Sequence, residues 1–556
     1  MGIIYAQYKS LMDKKMKTKD RVISEPVIDD DENLTSLSLK SFHIEFNKEA
    51  SLEDISYAAI NHLPVTLDDE VIARVEKSRH ILENMVEENR VIYGVNTSMG
   101  GFVNYIVPID KASELQNNLI NAVATNVGAF FDDTTVRATM LARIVSLSRG
   151  NSAISVANFC KLIDVYNKGV VPCVPEKGSL GTSGDLGPLA AIALVCTGQW
   201  KARYQGEQMS GIEALEKAGI SPMVLSFKEG IALINGTSAM VGLGSLLYDE
   251  VKQVFDTYLT ISALSIEGLH GKTKPFDPAV HKLKPHKGQL EVATAIWNIL
   301  AESSLAVNEH DVEKIISQEM DGLVKPSSHQ IEDAYSIRCT PQILGPIADN
   351  LKNIEQTLKN ELNSSNDNPL IDQNTEEVFH NGHFHGQYIA MEMDHLNIAL
   401  VTIMNLSNRR IDRFMDKSNS NGLPAFLCAE NAGLRLGLMG GQFMTASITA
   451  ESRASCMPMS IQSLSSTGDF QDIVSLGLVS ARRVREQLKN LKYVMAFELL
   501  CACQAVDIRG NAGLSTATRA LYEKTRNQVP YLDEDKTITD YIEFIVKNVL
   551  TKNSDI

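Results

Sequence analysis

The sequence predicts a mainly α protein, and three observations support this. Apolar residues recur at steps of three and four, as in the runs Leu247, Val251, Val254, Tyr258, Ile261 and Val484, Leu488, Leu491, Met495. The stretch Gln471–Val506 contains no proline and is predicted to form one very long helix. Stretches that resemble strands are rare and short. A helix of that length needs neighbours on more than one face, and a second copy of the chain can supply them.

The N-terminal residues 1–45 are predicted to form a poorly ordered tail. Lys9–Arg21 is rich in basic residues, whereas Glu25–Glu32 contains three consecutive aspartates. After this tail, Ser51-Leu-Glu-Asp has the pattern of a capping box, which predicts that a first helix begins there.

Composition and charge exclude several classes of partner. The 556 residues carry a net charge of −16, from 52 basic and 68 acidic side chains. This balance argues against nucleic acid or an anionic membrane surface as a partner, because both attract basic patches. The longest apolar runs, such as Leu186–Cys196, are too short to span a bilayer. Eight scattered cysteines without zinc-site spacing predict reduced, mostly buried thiols, and we expect a cytoplasmic protein.

Five segments rich in glycine, proline or asparagine interrupt the helical pattern, at 94–101, 178–188, 363–369, 381–386 and 421–424. Loops held by a rigid frame often carry the chemistry of a protein. These segments are therefore the places to search for a site.

The segment Gly178–Pro188 packs four glycines and a proline into eleven residues before a helical run. One interpretation is a tight turn with Ser183 or Asp185 as the helix N-cap. A second makes Ser183 a hydrolase nucleophile, although the G-x-S-x-G spacing and a nearby histidine are missing. A third is backbone cyclisation, in which the Gly184 nitrogen attacks the Thr182 carbonyl carbon and two waters leave, one of them containing the Ser183 hydroxyl. That product is an electrophilic methylidene-imidazolone (MIO).

The segment resembles the cofactor loop of the aromatic amino acid ammonia-lyase and aminomutase family, whose usual triplet is Ala-Ser-Gly. Here Thr182 takes the first position, a variant associated in that family with bacterial phenylalanine aminomutases, including one that makes β-phenylalanine for the antibiotic andrimid. The resemblance extends from about residue 40 to the C-terminus. It implies an MIO cofactor formed from Thr182-Ser183-Gly184, with no metal.

The resemblance also implies the architecture. The fold would be the long-helix bundle of the ammonia-lyase and fumarase-like superfamily, assembled as a homotetramer whose active sites draw residues from more than one subunit. Residues 46–235 would carry the cofactor loop and a lid, residues 236–506 the central bundle, and residues 507–556 a C-terminal helical segment.

Catalytic roles follow residue by residue from the same resemblance. Tyr93, in the lid-like segment Val91–Gly101, would take the β-proton of the substrate if its pKa fell well below about 10. Arg338 would bind the substrate carboxylate, and Tyr335, on the same helix face, would point toward the cofactor. Many relatives have glutamine where this chain has Glu332.

Four further residues match the family pattern. Asn235 would hydrogen-bond the carbonyl region of the cofactor, Asn368 would help to orient the carboxylate, Phe384 would border the cofactor, and Gln471 would lie near the substrate amine. From the residues alone, Asn235 and Asn368 are equally compatible with an N-cap and a polar turn.

The side-chain pocket is predicted to be apolar. Tyrosine-specific relatives have a histidine where this chain has Ala122, between Leu119 and Val123. Met439 and Phe443 add apolar surface if they line the same wall. A phenol hydroxyl would have no partner there, so the predicted substrate is L-phenylalanine.

Two other clusters receive plainer interpretations. His380, His383 and His385 are spaced for a metal, but no carboxylate or cysteine completes the set locally, so loop histidines without a metal are expected. Arg409, Arg410, Asp412 and Arg413 are interpreted as an exposed helical face with salt bridges.

The predicted reaction converts L-phenylalanine to β-phenylalanine through a bound trans-cinnamate. An ammonia-lyase, which releases cinnamate and ammonia, would use the same groups and is the alternative. A non-catalytic helical assembly protein is a third possibility, which would keep the full mass of its sequence because cyclisation does not occur.

Overall fold

The computed structural model describes residues 40–551, and within them helices dominate. The α-helices are α1 Leu52–Asn61, α2 Asp69–Glu87, α3 Ala112–Val123, α4 Asp133–Ser148, α5 Val156–Asn167, α6 Leu186–Cys196, α7 Gly211–Lys217, α8 Glu229–Ile234, α9 Ser238–Gly268, α10 Pro278–His281, α11 Lys287–Leu300, α12 Glu309–Glu319, α13 Tyr335–Arg338, α14 Thr340–Leu362, α15 Gln387–Met415, α16 Met439–Ala454, α17 Gly477–Arg509, α18 Thr516–Arg526 and α19 Thr539–Phe544.

The strands are short, as the sequence predicts. They are β1 Phe42–Ile44, β2 Val65–Leu67, β3 Val127–Phe130, β4 Val171–Pro172, β5 Pro175–Lys177, β6 Lys201–Tyr204, β7 Glu207–Ser210, β8 Leu370–Asp372 and β9 Glu377–Phe379. β1 pairs with β2 in parallel; the pairs β3–β5 and β8–β9 and the three-stranded sheet β4–β6–β7 are antiparallel.

Three long helices form the centre of the molecule. α9, α15 and α17 have 31, 29 and 33 residues. α17 packs against both α9 and α15, and α9 also packs against α4 and α14. The nine apolar positions that indicated helices in the sequence all lie in α9 or α17, and all are buried. The long helix predicted from Gln471 begins at Gly477, because residues 471–476 form a loop that ends at Leu476 in the left-handed region, with φ 55°.

The core contains one prominent buried charge network, which corrects the exposed face predicted for Arg409–Arg413. The Arg410 side chain is fully buried and forms a 2.7 Å ion pair with Glu498. It also donates to the Tyr258 hydroxyl at 2.5 Å. Arg410 falls on the inner stripe of α15, four residues before the buried Phe414, so helical geometry turns it inward. Arg409 does face outward, 3.7 Å from Asp412.

The N-terminal predictions are only partly covered by the described residues. Residues 42–44 fall inside the predicted tail but form β1, with Phe42 and Ile44 buried; residues 1–39 lie outside the described part. The Ser51 cap is confirmed, because its hydroxyl accepts from the Asp54 amide at 3.0 Å. Residues 41–551 belong to one compact unit, and most of its buried apolar residues form a single cluster.

All eight cysteines are free, and five of them are buried. Along residues 40–551, none of the helices combines the length and the apolar character that crossing a membrane requires.

Candidate active site

The turn Thr182-Ser183-Gly184 lies against the junction between α8 and α9. Gly236 donates its N–H to the Ser183 carbonyl at 3.2 Å, and Asp185 donates its own to the Gly236 carbonyl at 2.8 Å. Gly184 has φ +74°, and a Cβ at this position would lie 2.0 Å from the Gly236 oxygen. Only glycine can occupy this position without moving the backbone. The segment is therefore a tight turn, as one interpretation predicted, and a close-packed one.

Asp185 connects the starts of two helices. It holds the N-cap position of α6, as predicted, but its side chain does not cap that helix. Instead, one carboxylate oxygen accepts from the Met240 amide in the first turn of α9 at 2.8 Å, and the other accepts from the Ser179 hydroxyl at 3.3 Å. Complete burial raises the pKa of Asp185 to about 7. The positive ends of the α6 and α9 dipoles thus meet beside the turn.

The segment 463–476, which precedes α17, contacts the turn from another side. Gln471 donates its side-chain N–H to the Ser183 hydroxyl at 3.2 Å. The side-chain oxygen of Gln471 accepts from the Thr467 hydroxyl. At the other end of the segment, Leu476 donates its N–H to the Leu180 carbonyl at 3.2 Å. Gln471 therefore contacts the one side chain that cyclisation would consume.

Tyr93 lies in the lid segment, which reaches the same region. Its hydroxyl accepts from the Gly100 amide at 2.9 Å. Gly100 and Gly101 lie against Thr467, the residue bonded to Gln471. Burial raises the pKa of Tyr93, although the hydrogen bond from Gly100 opposes the shift. The direction is opposite to the one a tyrosinate base requires, so within a single chain Tyr93 is a protonated phenol at neutral pH.

Asn235 ends α8, directly before Gly236. It is buried, and its side-chain oxygen accepts no hydrogen bond from the residues that the structure describes. A buried oxygen without a donor is costly, which indicates that this one serves a group absent from the single chain. Gly236 itself is packed so closely against Asn366 that a Cβ would lie 2.2 Å from the Asn366 side-chain oxygen.

Asn368 belongs to the loop that follows Asn366, and it holds a neighbouring loop in place. Its side-chain oxygen accepts from the Asn381 amide at 2.8 Å. The adjacent Asp367 forms a fully buried 2.5 Å ion pair with Lys228, which precedes α8. Four of the five predicted breaks therefore lie around the junction between α8 and α9. They are the segments 94–101, 178–188, 363–369 and 381–386.

Comparison with known proteins agrees with this geometry. The sequence model of the family "Aromatic amino acid lyase" matches residues 50–527. The chain belongs to the aromatic amino acid lyase family. The resemblance stated from the cofactor loop is thereby confirmed.

Several members of the family are close to this chain. The solved structure of Pantoea agglomerans phenylalanine aminomutase superimposes with a TM-score of 0.91 at 83% identity, over 93% of this chain and 100% of that one. The MIO-dependent tyrosine 2,3-aminomutase of Streptomyces globisporus is 39% identical over 499 residues, 89% of this chain and 92% of the relative. The histidine ammonia-lyase of Alkaliphilus metalliredigens is 38% identical over 490 residues, 88% and 93% of the two chains. The structural match confirms the predicted long-helix fold.

Arg338 and Tyr335 lie in α13. The Arg338 guanidinium forms a 2.9 Å ion pair with Glu332 and lies over the Tyr335 ring, 4.9 Å from its centre. Tyr335 is 69% exposed. Within residues 40–551, no hydrogen bond or ion pair described for these two side chains joins them to Ser183 or Tyr93. The contacts described within one chain therefore do not link the predicted carboxylate-binding residues to the turn.

The predicted apolar pocket residues divide in the same way. Leu119 and Val123 are partly buried on α3, which packs against α6 and α8 beside the turn, whereas Ala122 is exposed. Phe384 is partly buried in the loop that ends at Gly386, next to α9. Phe443 is 64% exposed on α16, and nothing described within the chain places it near the turn.

Sequence reasoning missed two residues that hold the Tyr93 segment. Gln116 is fully buried on α3 and donates to the Gly94 carbonyl at 2.9 Å. His380 accepts from the Tyr93 amide at 3.1 Å. A glutamine between apolar positions of a helix was a usable signal for the first. His380 was considered only as part of the histidine cluster, so its contact with Tyr93 was not predicted. His383, in that cluster, bonds Asn381. The described residues contain no group of three or more His, Cys, Asp and Glu side chains that could hold a metal.

Proposed function

We propose that this protein is a phenylalanine aminomutase that converts L-phenylalanine to β-phenylalanine through a bound trans-cinnamate, with some release of cinnamate as an ammonia-lyase side activity. The observation that carries the proposal is the Thr182-Ser183-Gly184 turn, close-packed on Gly236 and contacted by Gln471. The 83% identity with Pantoea agglomerans phenylalanine aminomutase, over nearly the whole chain, supports the substrate and the type of reaction.

The residues around the turn fit an MIO group formed from Thr182-Ser183-Gly184. The described hydrogen bonds hold the Ser183 carbonyl and the Asp185 amide, which flank the Gly184 nitrogen on either side. The Gly184 backbone at φ +74° is a left-handed conformation that glycine adopts without strain. Asn235 offers the buried oxygen without a partner, and Gln471 contacts the Ser183 hydroxyl. When formed, the group supplies an electrophilic carbon for the substrate amine.

Tyr93 is the proposed base for the β-proton. Its hydroxyl is held by Gly100, in a loop that contacts the segment above Ser183. Because burial alone raises its pKa, the role requires positive potential in the assembled site. The N-terminal ends of α6 and α9 begin beside the turn and supply part of that potential. Activity should therefore increase with pH as Tyr93 loses its proton.

Arg338 is the proposed ligand of the substrate carboxylate, through the bidentate geometry that guanidinium groups offer. Glu332 occupies this guanidinium at 2.9 Å, so the substrate must displace or share it. Tyr335, beside Arg338, and Asn368 complete the polar side of the proposed site. Retention of cinnamate by Arg338 is what allows the amine to return to the β-carbon, whereas early release gives the lyase outcome.

The phenyl ring is proposed to rest on apolar side chains contributed by Leu119, Val123, Phe384 and Phe443. None of these four offers a hydrogen-bond partner, so a ring hydroxyl would be buried without one. This favours phenylalanine over tyrosine by a factor on the order of ten or more.

A homotetramer with shared active sites is also proposed, and apolar surface that one chain leaves uncovered supports it. α15 exposes Tyr388, Met391 and Ile398 at 73%, 46% and 47%, and the segment before α17 exposes Ile461 and Leu464 at 72% and 62%. Apolar surface of this extent on long helices is typical of subunit interfaces. Another copy covering it can bring Tyr335, Arg338 and Phe443 to the turn. A cytoplasmic location remains a prediction from the cysteines and the apolar runs, and a role in antibiotic biosynthesis remains a prediction from the family resemblance.

The test is turnover of L-phenylalanine followed by chiral separation of the products. We expect β-phenylalanine from the native enzyme, and neither β-phenylalanine nor cinnamate from Ser183→Ala. Tyr93→Phe should keep the fold and the cofactor's near-ultraviolet absorbance but lose turnover. Intact mass should lie about 36 Da below the sequence mass, for two lost waters. Turnover by Ser183→Ala, or an intact mass equal to the sequence mass, would refute the cofactor and with it the proposed function.

A further inference from the structure

The peptide units at Tyr93 and Gly94 are held from two sides by side chains of other segments. On one side, Gln116 donates its side-chain N–H to the Gly94 carbonyl at 2.9 Å. The same side chain accepts from the Ile231 amide of α8 at 3.1 Å and is completely buried. Both polar atoms of one glutamine thus join the base of the lid segment to the helix that ends at Asn235.

On the other side, His380 accepts from the Tyr93 amide through Nε2, at 3.1 Å. An Nε2 that accepts must be unprotonated, which places the ring hydrogen on Nδ1. The loop that contains His380 is itself fixed, because Asn381 donates to Asn368 at 2.8 Å and the neighbouring Asp367 is paired with Lys228 in the interior. His380 is therefore attached to an anchored part of the molecule.

The packing at Gly94 leaves little freedom between these two contacts. Gly94 has φ +67°, and a Cβ there would lie 2.1 Å from the Ile231 side chain. The tip of the lid, at Gly100, is held by the Tyr93 hydroxyl. The base of the lid is thus fixed by contacts with other segments, and the Tyr93 hydroxyl links this base to the tip at Gly100.

We propose that Gln116 and His380 are positioning residues that fix the Tyr93 backbone, and through it the Tyr93 hydroxyl, for proton transfer. This inference rests on the proposed role of Tyr93. Neither side chain is expected to touch substrate. Their contribution is geometric, because a displacement of about 1 Å at a reacting group can cost on the order of a hundredfold in rate. Loss of the His380 contact should therefore lower kcat and leave KM and cofactor formation largely unchanged.

The His380 contact is also sensitive to pH. Protonation of the ring removes the acceptor, so the contact is present above the His380 pKa and lost below it. Partial burial of the ring lowers that pKa from its ordinary value of 6.5. The charged or titratable groups on the segments around it are Arg90 and Tyr93 of the lid, Glu377 of β9, Asp367 of the loop before β8, and His383 and His385 of its own loop.

The experiment compares His380→Gln with His380→Leu in the full-length enzyme. Glutamine places an amide oxygen near the position of Nε2 but does not titrate, whereas leucine has no acceptor. His383→Gln is the matched control, because His383 lies in the same loop and its ring bonds Asn381 in that loop. Turnover of L-phenylalanine, intact mass and thermal midpoint are measured for each variant from pH 5 to pH 9.

We expect His380→Leu to lose about ten- to a hundredfold in kcat, with native mass and little change in KM. His380→Gln should recover most of that loss. The ratio of native to His380→Gln kcat should be constant above pH 6.5 and fall below it, since substrate ionisation cancels in the ratio. His383→Gln should match the native enzyme. Native kcat in His380→Leu, or equal kcat in the Leu and Gln variants, would overturn the proposal.

A Gln116→Met variant tests the second contact independently. It should lower kcat more than KM while keeping the native mass; a native kcat would remove Gln116 from the proposal. If this variant does not fold, the comparison of His380→Leu with His380→Gln still tests the proposal. Failure of the proposed function looks different: Tyr93→Phe would then retain activity, whereas failure of the positioning role leaves Tyr93→Phe inactive and the His380 variants unaffected.

Discussion

Replacing Gly184 with alanine should lower the stability of the fold in two ways. The first is backbone strain, because an alanine at φ +74° costs about 1–2 kcal/mol. The second is a clash, since the new Cβ would lie 2.0 Å from the Gly236 oxygen, far inside ordinary contact. Relief requires the turn or the start of α9 to move by roughly 1 Å, which typically adds 1–3 kcal/mol of destabilisation.

Gly206→Ala is the control that carries the strain alone. Gly206 has φ +84° in the turn between β6 and β7, and nothing lies within 4 Å of its Cβ position. Both variants should be folded, with Gly184→Ala less stable than Gly206→Ala in urea unfolding. Gly206→Ala should retain full activity and the mass deficit of about 36 Da. Gly184→Ala should keep the mass of its own sequence and lack turnover, and native mass loss with native activity in this variant would refute the geometric account of cyclisation.

Two further predictions concern buried charges. Arg410→Met leaves the Glu498 carboxylate buried without its cation and should destabilise the fold by about 3–5 kcal/mol in urea unfolding. Arg409→Met, on the outer face of the same helix, should stay within about 0.5 kcal/mol; equal effects would contradict the assigned burial. The Asp185 pKa is raised to about 7, so its contribution to stability is present at pH 4 and lost as the pH rises through 7. Asp185→Asn retains an acceptor for Met240, and unfolding measured at pH 5 and pH 8 should show a smaller decline than in the native protein.

The long helices were predictable because their signal is local. Leu247, Val251 and Val254 mark the buried face of α9 through their spacing alone. Arg410 shows the limit of such patterns. Its ion-pair partner Glu498 lies 88 residues away in α17, so the sequence around Arg410 shows only a charged stretch, which is usually exposed. Burial of a charge depends on a distant partner, and spacing within one helix cannot reveal it.

The residues of the candidate site also fall into two groups, those that one chain brings together and those whose place the sequence could not predict. Thr182-Ser183-Gly184, Asn235 and Gln471 were found through motif resemblance, and the chain brings them together. Tyr335 and Arg338 match the motif equally well, but no hydrogen bond or ion pair described within residues 40–551 joins them to the turn. Tyr335 is exposed and Arg338 is partly buried on α13, and their proposed place depends on another copy of the chain. Motif likeness identifies residue types without saying which subunit supplies them.

The raised pKa of Tyr93 could not be predicted from the sequence either. The lid motif identifies the residue, whereas its proton affinity depends on burial by segments far away in the chain. The contacts of Gln116 and His380 could not be predicted for a related reason. Gln116 bonds Gly94 and Ile231, and His380 bonds Tyr93, at separations of 22 to 287 residues along the chain. Single hydrogen bonds between such distant residues leave no spacing pattern in the sequence.

The central claim, that the amine of phenylalanine is moved and not expelled, can be tested by following the nitrogen. L-phenylalanine labelled with ¹⁵N is incubated with the enzyme in a large excess of unlabelled ammonium, and products are separated by chiral chromatography and weighed by mass spectrometry at early times. The account predicts β-phenylalanine in excess over cinnamate, with the ¹⁵N label retained. Cinnamate alone would contradict it and identify an ammonia-lyase, and β-phenylalanine without the label would contradict the retention of the amine.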